Sequence, residues 1–113
     1  GFDGPNHKST ASDLLKLTEY SIKNKTFNEI VIKESYSFRA INTKRTYTAH
    51  TSNKLLPKEK YMIGVKTGYT SKAGPCLIAR AKDGKKDILL VMLNSQNRWQ
   101  NTKLALDTVL NRK

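Results

Sequence analysis

The sequence predicts an α+β domain in which helices flank an antiparallel sheet. Apolar residues recur at helical spacing near both ends of the chain and alternate with period two between them. No parallel crossover pattern is present, which argues against a dinucleotide-binding fold. The 113 residues allow one domain. Hydrophobic residues make up 37% of the chain, which is a small supply for a core at this size.

The first predicted helix covers residues 10–24. Residues 1–8 contain two glycines and a proline, which favour an irregular loop. Thr10 is followed three residues later by Asp13, a spacing that resembles a capping box. Because apolar residues then recur at helical spacing, we expect an amphipathic helix that needs a partner surface.

Two further helices are predicted. Thr26 and Glu29 repeat the capping pattern before an apolar run and indicate a second, short helix. Near the end of the chain, Asn97 stands where a helix cap is expected. The residues predicted to share the buried face of this last helix are Trp99, Thr102, Leu106 and Leu110.

The strands are predicted between these helices. Alternating apolar residues around a polar centre indicate a β-hairpin over residues 36–49. Residues 61–65 form an apolar run that reads as a strand. Residues 75–82 and 86–93 flank the Asp-Gly pair at 83–84, which is a strong short-range hairpin signal.

Composition and residue counts exclude several classes of protein. The net charge of +12 favours anionic partners without naming one. Cys76 is the single cysteine, so an internal disulfide is impossible, and with only His7 and His50 beside it a four-ligand zinc site is out of reach. In its Leu- and Ile-rich segment, Cys76 is expected in the core. The longest apolar run, residues 88–93, is far below the roughly 20 residues that cross a bilayer. We expect no metal and no cofactor.

The sharpest local feature is the tripeptide Lys66, Thr67 and Gly68, which follows the apolar strand directly. In a regular strand Lys66 and Gly68 share one face and Thr67 lies on the other. A tripeptide of this kind also occurs by chance where a strand ends before a turn. Taken alone, it leaves both interpretations open.

The context of the tripeptide resembles a known family. Residues 64–79, Gly-Val-Lys-Thr-Gly-Tyr-Thr-Ser-Lys-Ala-Gly-Pro-Cys-Leu-Ile-Ala, closely resemble the third active-site motif of serine-type D-alanyl-D-alanine carboxypeptidases, the low-molecular-mass penicillin-binding proteins. Residues 1–14 are similar to the loop and helix after their second motif, and residues 53–56 to the segment before the third. The resemblance implies a partial penicillin-binding/β-lactamase-like transpeptidase domain, with residues 1–113 as the C-terminal portion of the catalytic domain.

The resemblance also implies roles for five residues. Lys66 would place positive charge beside the nucleophile, and the Thr67 hydroxyl would contact the carboxylate of a substrate or β-lactam. Gly68 would leave the strand edge bare for an extended peptide. The main-chain N–H of Tyr69 would donate to the oxyanion hole. Asn53 would pin a loop beside the site, or serve only as a turn-forming residue.

The other two motifs of the family are not found in this sequence. Its nucleophile belongs to a Ser-x-x-Lys motif, and no serine of the chain has lysine three positions later. Residues 95–97 spell Ser-x-Asn, but they follow the Lys-Thr-Gly strand, whereas the family places that motif before it. We therefore expect the chain to be inactive by itself.

The partners and the location also follow from the resemblance. The complete enzyme would act on peptidoglycan stem peptides, bind β-lactams and lie outside the cytoplasmic membrane, in the cell envelope. The sheet would be completed by a missing N-terminal half or by a second copy of the chain. Since bare edge strands invite pairing, a homodimer is expected. Nucleic acid is not an expected partner of such an enzyme.

The sequence alone is compatible with two other functions. A non-catalytic basic module that binds nucleic acid or an anionic wall polymer fits the charge, although the patterns of RNA-binding sheets, zinc fingers and basic helices are missing. A related β-lactamase or sensor domain would share the Lys-Thr-Gly strand. A class A lactamase would also need a deacylating glutamate, and none stands in a recognisable setting.

Overall fold

The structure is a computed structural model and describes residues 2–112. Within these residues three helices accompany five strands. In chain order they are α1 (Ala11–Ser21), α2 (Lys25–Val31), β1 (Ser35–Arg39), β2 (Thr46–His50), β3 (Met62–Thr70), β4 (Gly74–Asp83), β5 (Lys86–Met92) and α3 (Arg98–Val109).

The strands form two antiparallel sheets across residues 2–112. β1 and β2 make a two-stranded hairpin, and β3, β4 and β5 make a sheet in that order. The predicted α+β class with an antiparallel sheet and flanking helices is confirmed, as are both predicted hairpins. In the second hairpin Asp83 pairs with Lys86, so the two-residue turn consists of Gly84, which has a φ of +59°, and Lys85.

The starts of the first two helices show where capping chemistry was predictable. The Thr10 hydroxyl accepts the N–H of Asp13 at 3.1 Å, as predicted. In α2 the predicted cap, Thr26, is wrong. Oδ1 of Asn24 accepts the N–H of Phe27 at 3.0 Å instead, because Asn is at least as good a cap as Thr and stands one turn ahead of that donor.

The core lies between α3 and the three-stranded sheet. Thr102, Leu106 and Leu110 are buried and Trp99 packs against the core, which confirms the predicted face of the last helix. Asn97 occupies the cap position of α3, but its side chain makes no capping hydrogen bond, so that part of the prediction is wrong. The other buried apolar residues are Leu55, Leu56, Tyr61, Met62, Leu77, Ala79 and Ala81.

A polar cluster ties the start of β3 to α3. The hydroxyl of Tyr61 donates to Oδ1 of Asp107 at 2.9 Å, and Nζ of Lys103 reaches Oδ2 of Asp107 at 2.7 Å and Glu59 at 3.2 Å. Burial, reinforced by the hydrogen bond to Asp107, raises the pKa of Tyr61 to about 12. The phenol therefore stays protonated in conditions where an unfolded chain would release its proton.

This shift predicts an alkaline loss of stability. The pKa of Tyr61 is about 12 in the folded chain and about 10 when unfolded, so its contribution is complete below pH 10 and is lost as the pH rises towards 12. We expect a tyrosinate absorbance titration to contain a step near pH 12 that Tyr61→Phe lacks and that Tyr20→Phe, at an exposed site, retains. A Tyr61→Phe variant that keeps the step would contradict this assignment.

No helix within residues 2–112 is both long enough and apolar enough to cross a membrane.

Candidate functional site

Lys66, Thr67 and Gly68 lie on β3 at an open edge of the sheet. One side of β3 pairs with β4, and no strand among residues 2–112 pairs with its other side. Lys66 is exposed, and its Nζ donates to the main-chain oxygen of Thr67 at 2.6 Å. The ammonium group is therefore held along the open edge rather than in the core.

A cavity of about 230 Å³ adjoins this edge. Both Lys66 and Thr67 line it, and the loop before β3 supplies Thr51, Ser52 and Asn53. Residues that alternate between the two strand faces can both reach this cavity because it lies beside the strand edge. The predicted cation, Lys66, and the predicted hydroxyl, Thr67, thus line the same cavity.

Ser52 is a member of the site that the sequence did not predict. Its Oγ and the Oγ1 of Thr67 share a hydrogen bond, so the loop contacts the motif directly. A hydroxyl can donate one hydrogen bond and accept others, so Thr67 can accept from Ser52 and still donate to an anion in the cavity. The position of Ser52 beside Asn53 was the available signal, but nothing local links residues 52 and 67.

Asn53 shapes the loop that carries Ser52. Its side chain is buried, and Oδ1 accepts the N–H groups of Leu55 at 3.0 Å and Leu56 at 3.3 Å. Its own N–H donates to the hydroxyl of Thr51 at 3.1 Å. These contacts are those of a turn-forming asparagine. A direct contact between Asn53 and a substrate stays a prediction.

The packing of the chain does not require glycine at position 68. Gly68 is exposed, and a Cβ built there would meet the Cβ of Cys76 at 3.9 Å, an ordinary contact distance. The neighbouring side chain of Tyr69 is 66% exposed. The bare edge at residue 68 is therefore available to a molecule that approaches from outside.

Arg98 braces the same part of β3 from the start of α3. Its Nη1 donates to the main-chain oxygens of Gly68 and Cys76, both at 2.8 Å, and its guanidinium lies over the ring of Trp99 at 4.4 Å. No pattern in the sequence predicted this residue as part of the site. Because 30 positions separate Arg98 from Gly68, no local pattern could reveal the contact.

The turn after the motif is held by polar contacts and by backbone geometry. The Thr70 hydroxyl donates to Asp3 at 3.0 Å and accepts the N–H of Ala73 at 3.0 Å. Gly74 has a φ of +73°, and a Cβ there would lie 2.1 Å from Oδ1 of Asn94. Glycine is needed at this position by both conformation and space, and the turn keeps the end of β3 in place.

The other reactive residue types lie outside this arrangement or at its margin. His7 lies in the exposed N-terminal loop, with Nδ1 3.2 Å from the oxygen of Phe2, whereas His50 lines the cavity. The expectation that Cys76 belongs to the core is wrong: it is half-buried, with Sγ 3.5 Å from the oxygen of Gly74, because the N-terminal loop leaves a cavity over that face. Within residues 2–112 no group of acidic, His and Cys side chains is arranged to hold a metal ion.

Comparison with known proteins gives the family. The profile of the D-alanyl-D-alanine carboxypeptidase family, Peptidase_S11, matches residues 1–97. The chain belongs to this family. The motif that suggested the resemblance therefore stands in a matching context over most of the sequence.

Relatives and solved structures agree with this assignment. The chain is 32% identical over 97 residues to the D-alanyl-D-alanine carboxypeptidase DacD of Salmonella typhimurium, a match over 86% of the chain and 24% of DacD. The crystal structure of the Streptomyces K15 DD-transpeptidase superposes with a TM-score of 0.82 at 30% identity, covering 88% of the chain and 40% of that enzyme.

A D-alanyl-D-alanine carboxypeptidase from Mycobacterium tuberculosis H37Rv matches all of the chain and 45% of its own length, with a TM-score of 0.82 and 25% identity. The chain thus spans less than half the length of each of these three proteins. The fold is that of part of a penicillin-binding transpeptidase domain.

Proposed function

We propose that the chain is the C-terminal part of the catalytic domain of a serine D-alanyl-D-alanine carboxypeptidase that trims peptidoglycan stem peptides. The observation that carries this proposal is the Lys66 and Thr67 pair at an open strand edge, where both side chains line one cavity. Family membership over residues 1–97 supports it. The alternative function, a non-catalytic basic module that binds nucleic acid or an anionic wall polymer, is not favoured, since only the net charge supports it.

The arrangement suits the recognition of a peptide that ends in a carboxylate. An extended peptide can add to the open edge of β3 as a further strand, with Gly68 leaving room for its approach. The terminal carboxylate then meets the ammonium of Lys66 and the hydroxyl of Thr67, which form charge-assisted hydrogen bonds. The N–H of Tyr69 donates to the oxygen on which negative charge develops.

The attacking serine has to come from outside these 113 residues, since no Ser-x-x-Lys motif occurs in them. The chain supplies carboxylate recognition and charge stabilisation, and the missing motifs supply the nucleophile and its base. As a consequence, the isolated chain forms no acyl-enzyme. Stoichiometric covalent labelling of the chain alone by a fluorescent penicillin would contradict this.

A graft tests the function directly. The chain replaces the segment that it matches in the Streptomyces K15 enzyme, and the product is incubated with fluorescent penicillin beside the unaltered enzyme. We expect covalent labelling of the graft, because the grafted β3 supplies the third motif in its normal place. A graft that is folded by circular dichroism but stays unlabelled would refute the proposal.

The outer edge of β5 is the proposed contact for the rest of the protein. β5 is an edge strand of the three-stranded sheet within residues 2–112, and its residues from Ile88 to Met92 are only half-buried. Strands of a missing N-terminal half, or a second copy of the chain, would cover this edge. For the isolated chain we propose a homodimer, and a compact monomer in sedimentation would count against it.

The proposed location is the cell envelope, outside the cytoplasmic membrane. Peptidoglycan stem peptides lie there, so an enzyme that trims them must be exported. The support for this location is the family of the chain and the chemistry of the proposed substrate.

The Gly68→Ala variant distinguishes an effect on the approach of a ligand from an effect on folding. The new methyl group meets no chain atom closer than 3.9 Å, so we expect the free energy of unfolding to change by less than about 1 kcal/mol. The same methyl group obstructs a peptide strand at the edge, so labelling of the graft by fluorescent penicillin should fall at least about tenfold. Urea unfolding and labelling rates measure the two effects, and unchanged labelling would show that the edge at residue 68 is not used.

A further inference from the structure

One nitrogen of Arg98 reports which way the Gly68 carbonyl points. Nη1 lies 2.8 Å from the main-chain oxygens of both Gly68 and Cys76, and these two residues are opposite each other in the β3–β4 ladder. In an antiparallel ladder the carbonyls of opposite residues either both point between the strands or both point away from each other. A single nitrogen reaches both oxygens, so both carbonyls point between β3 and β4.

The direction of the Tyr69 N–H follows from this. The carbonyl of Gly68 and the N–H of Tyr69 belong to the same planar trans peptide unit, in which the two groups point in opposite directions. Because the carbonyl points towards β4, the N–H points to the open edge of β3. The ladder sets this direction, and Arg98 binds the oxygen of the same peptide unit whose N–H faces the open edge.

The guanidinium of Arg98 donates hydrogen bonds to these two carbonyls. Within residues 2–112 no carboxylate forms an ion pair with it, and it lies over the ring of Trp99, 4.4 Å from the ring centroid. Hydrogen bonds from a charged donor are about twice as strong as neutral ones. A peptide group that accepts such a bond at its oxygen becomes a better donor at its N–H, because hydrogen bonds in a chain polarise one another.

We propose that Arg98 is a positioning residue that holds and polarises the peptide between Gly68 and Tyr69, so that the Tyr69 N–H serves as an oxyanion donor. This inference rests on the proposed function, because the oxyanion arises only in an acyl-transfer reaction at this edge. Arg98 itself contacts the carbonyl oxygens between β3 and β4, away from the open edge, and therefore acts through the peptide unit. Its part in the geometry can be measured without any reaction.

The first test uses the complete chain, labelled with ¹⁵N, in solution. Arg98→Met is expected to move the Tyr69 amide proton resonance upfield, and Arg98→Lys to move it less, because Lys keeps the charge but cannot hold both carbonyls while stacking on Trp99. Arg45→Met is the matched control, since Arg45 also lies over an aromatic ring, that of Tyr47, in the separate hairpin. A Tyr69 amide that is unmoved in both Arg98 variants, or moved equally by the control, would overturn the proposal.

The second test uses the graft and separates this role from a merely structural one. Loss of an oxyanion donor outright costs about 100- to 1,000-fold in rate, so loss of its support by Arg98→Met should slow penicillin acylation about tenfold, while the affinity for penicillin before acylation is kept. Arg98→Lys should recover part of the rate. A folded Arg98→Met graft that acylates at the unaltered rate would refute the inference.

The two proposals fail in different ways. If the unaltered graft is not labelled, the proposed function is wrong, and the Tyr69 resonance in the isolated chain still decides whether Arg98 polarises the peptide. If the unaltered graft is labelled but Arg98→Met changes neither the resonance nor the rate, the function stands and the positioning role falls.

Discussion

Lys66→Ala in the graft is expected to lower the rate of covalent labelling by fluorescent penicillin by at least about 100-fold. The ammonium lies at the open edge of β3 and lines the same cavity as Thr67, so its removal takes away the positive charge that we propose binds the carboxylate. The loss should appear both in binding and in acylation, because the proposed charge acts on the bound anion and beside the nucleophile.

Lys85→Ala is the control for this prediction. Lys85 is also an exposed lysine and lies in the turn between β4 and β5, so the substitution removes the same charge away from the cavity. We expect labelling within about twofold of the unaltered graft, since surface charges act weakly at long range in salt. Equal losses in the two variants would show that net charge, rather than the position of Lys66, drives the reaction with penicillin.

Leu106→Ala is expected to destabilise the isolated chain by about 2–5 kcal/mol. The side chain of Leu106 is 1% exposed and lies in the core cluster between α3 and the sheet. Truncation removes buried methyl groups and leaves a cavity that the neighbouring β4 residues cannot fill without moving. For a chain with a small apolar supply, a loss of this size is a large fraction of the total stability.

Leu104→Ala on the same helix provides the comparison. Leu104 is 70% exposed, so the same chemical change at a surface position should alter the free energy of unfolding by less than about 0.5 kcal/mol. Urea unfolding followed by circular dichroism measures both. If the two variants were equally stable, α3 would not pack on the sheet in solution as it does in the structure.

Much of the fold was predictable because its signals are local. The first hairpin was predicted from alternation on either side of a polar centre, and the second from two apolar segments that flank an Asp-Gly pair. The start of α1 was predicted from the spacing of Thr10 and Asp13. Helical spacing alone placed Thr102 and Leu106 on the buried face of α3. The errors are local as well: Asn24, not Thr26, caps α2, because neighbouring candidates compete for the same backbone donor.

The residues of the candidate site also fall into two groups, those that the local sequence predicts and those that only the structure places there. The sequence by itself singled out the cation, the hydroxyl and the bare residue of β3 because these three are consecutive, and the resemblance over residues 64–79 implied their roles. Only the tertiary structure brought Ser52 to Thr67 and Arg98 to Gly68. Those contacts join residues 15 and 30 positions apart, and a hydrogen bond depends on where packing brings two atoms, which no spacing in the sequence encodes.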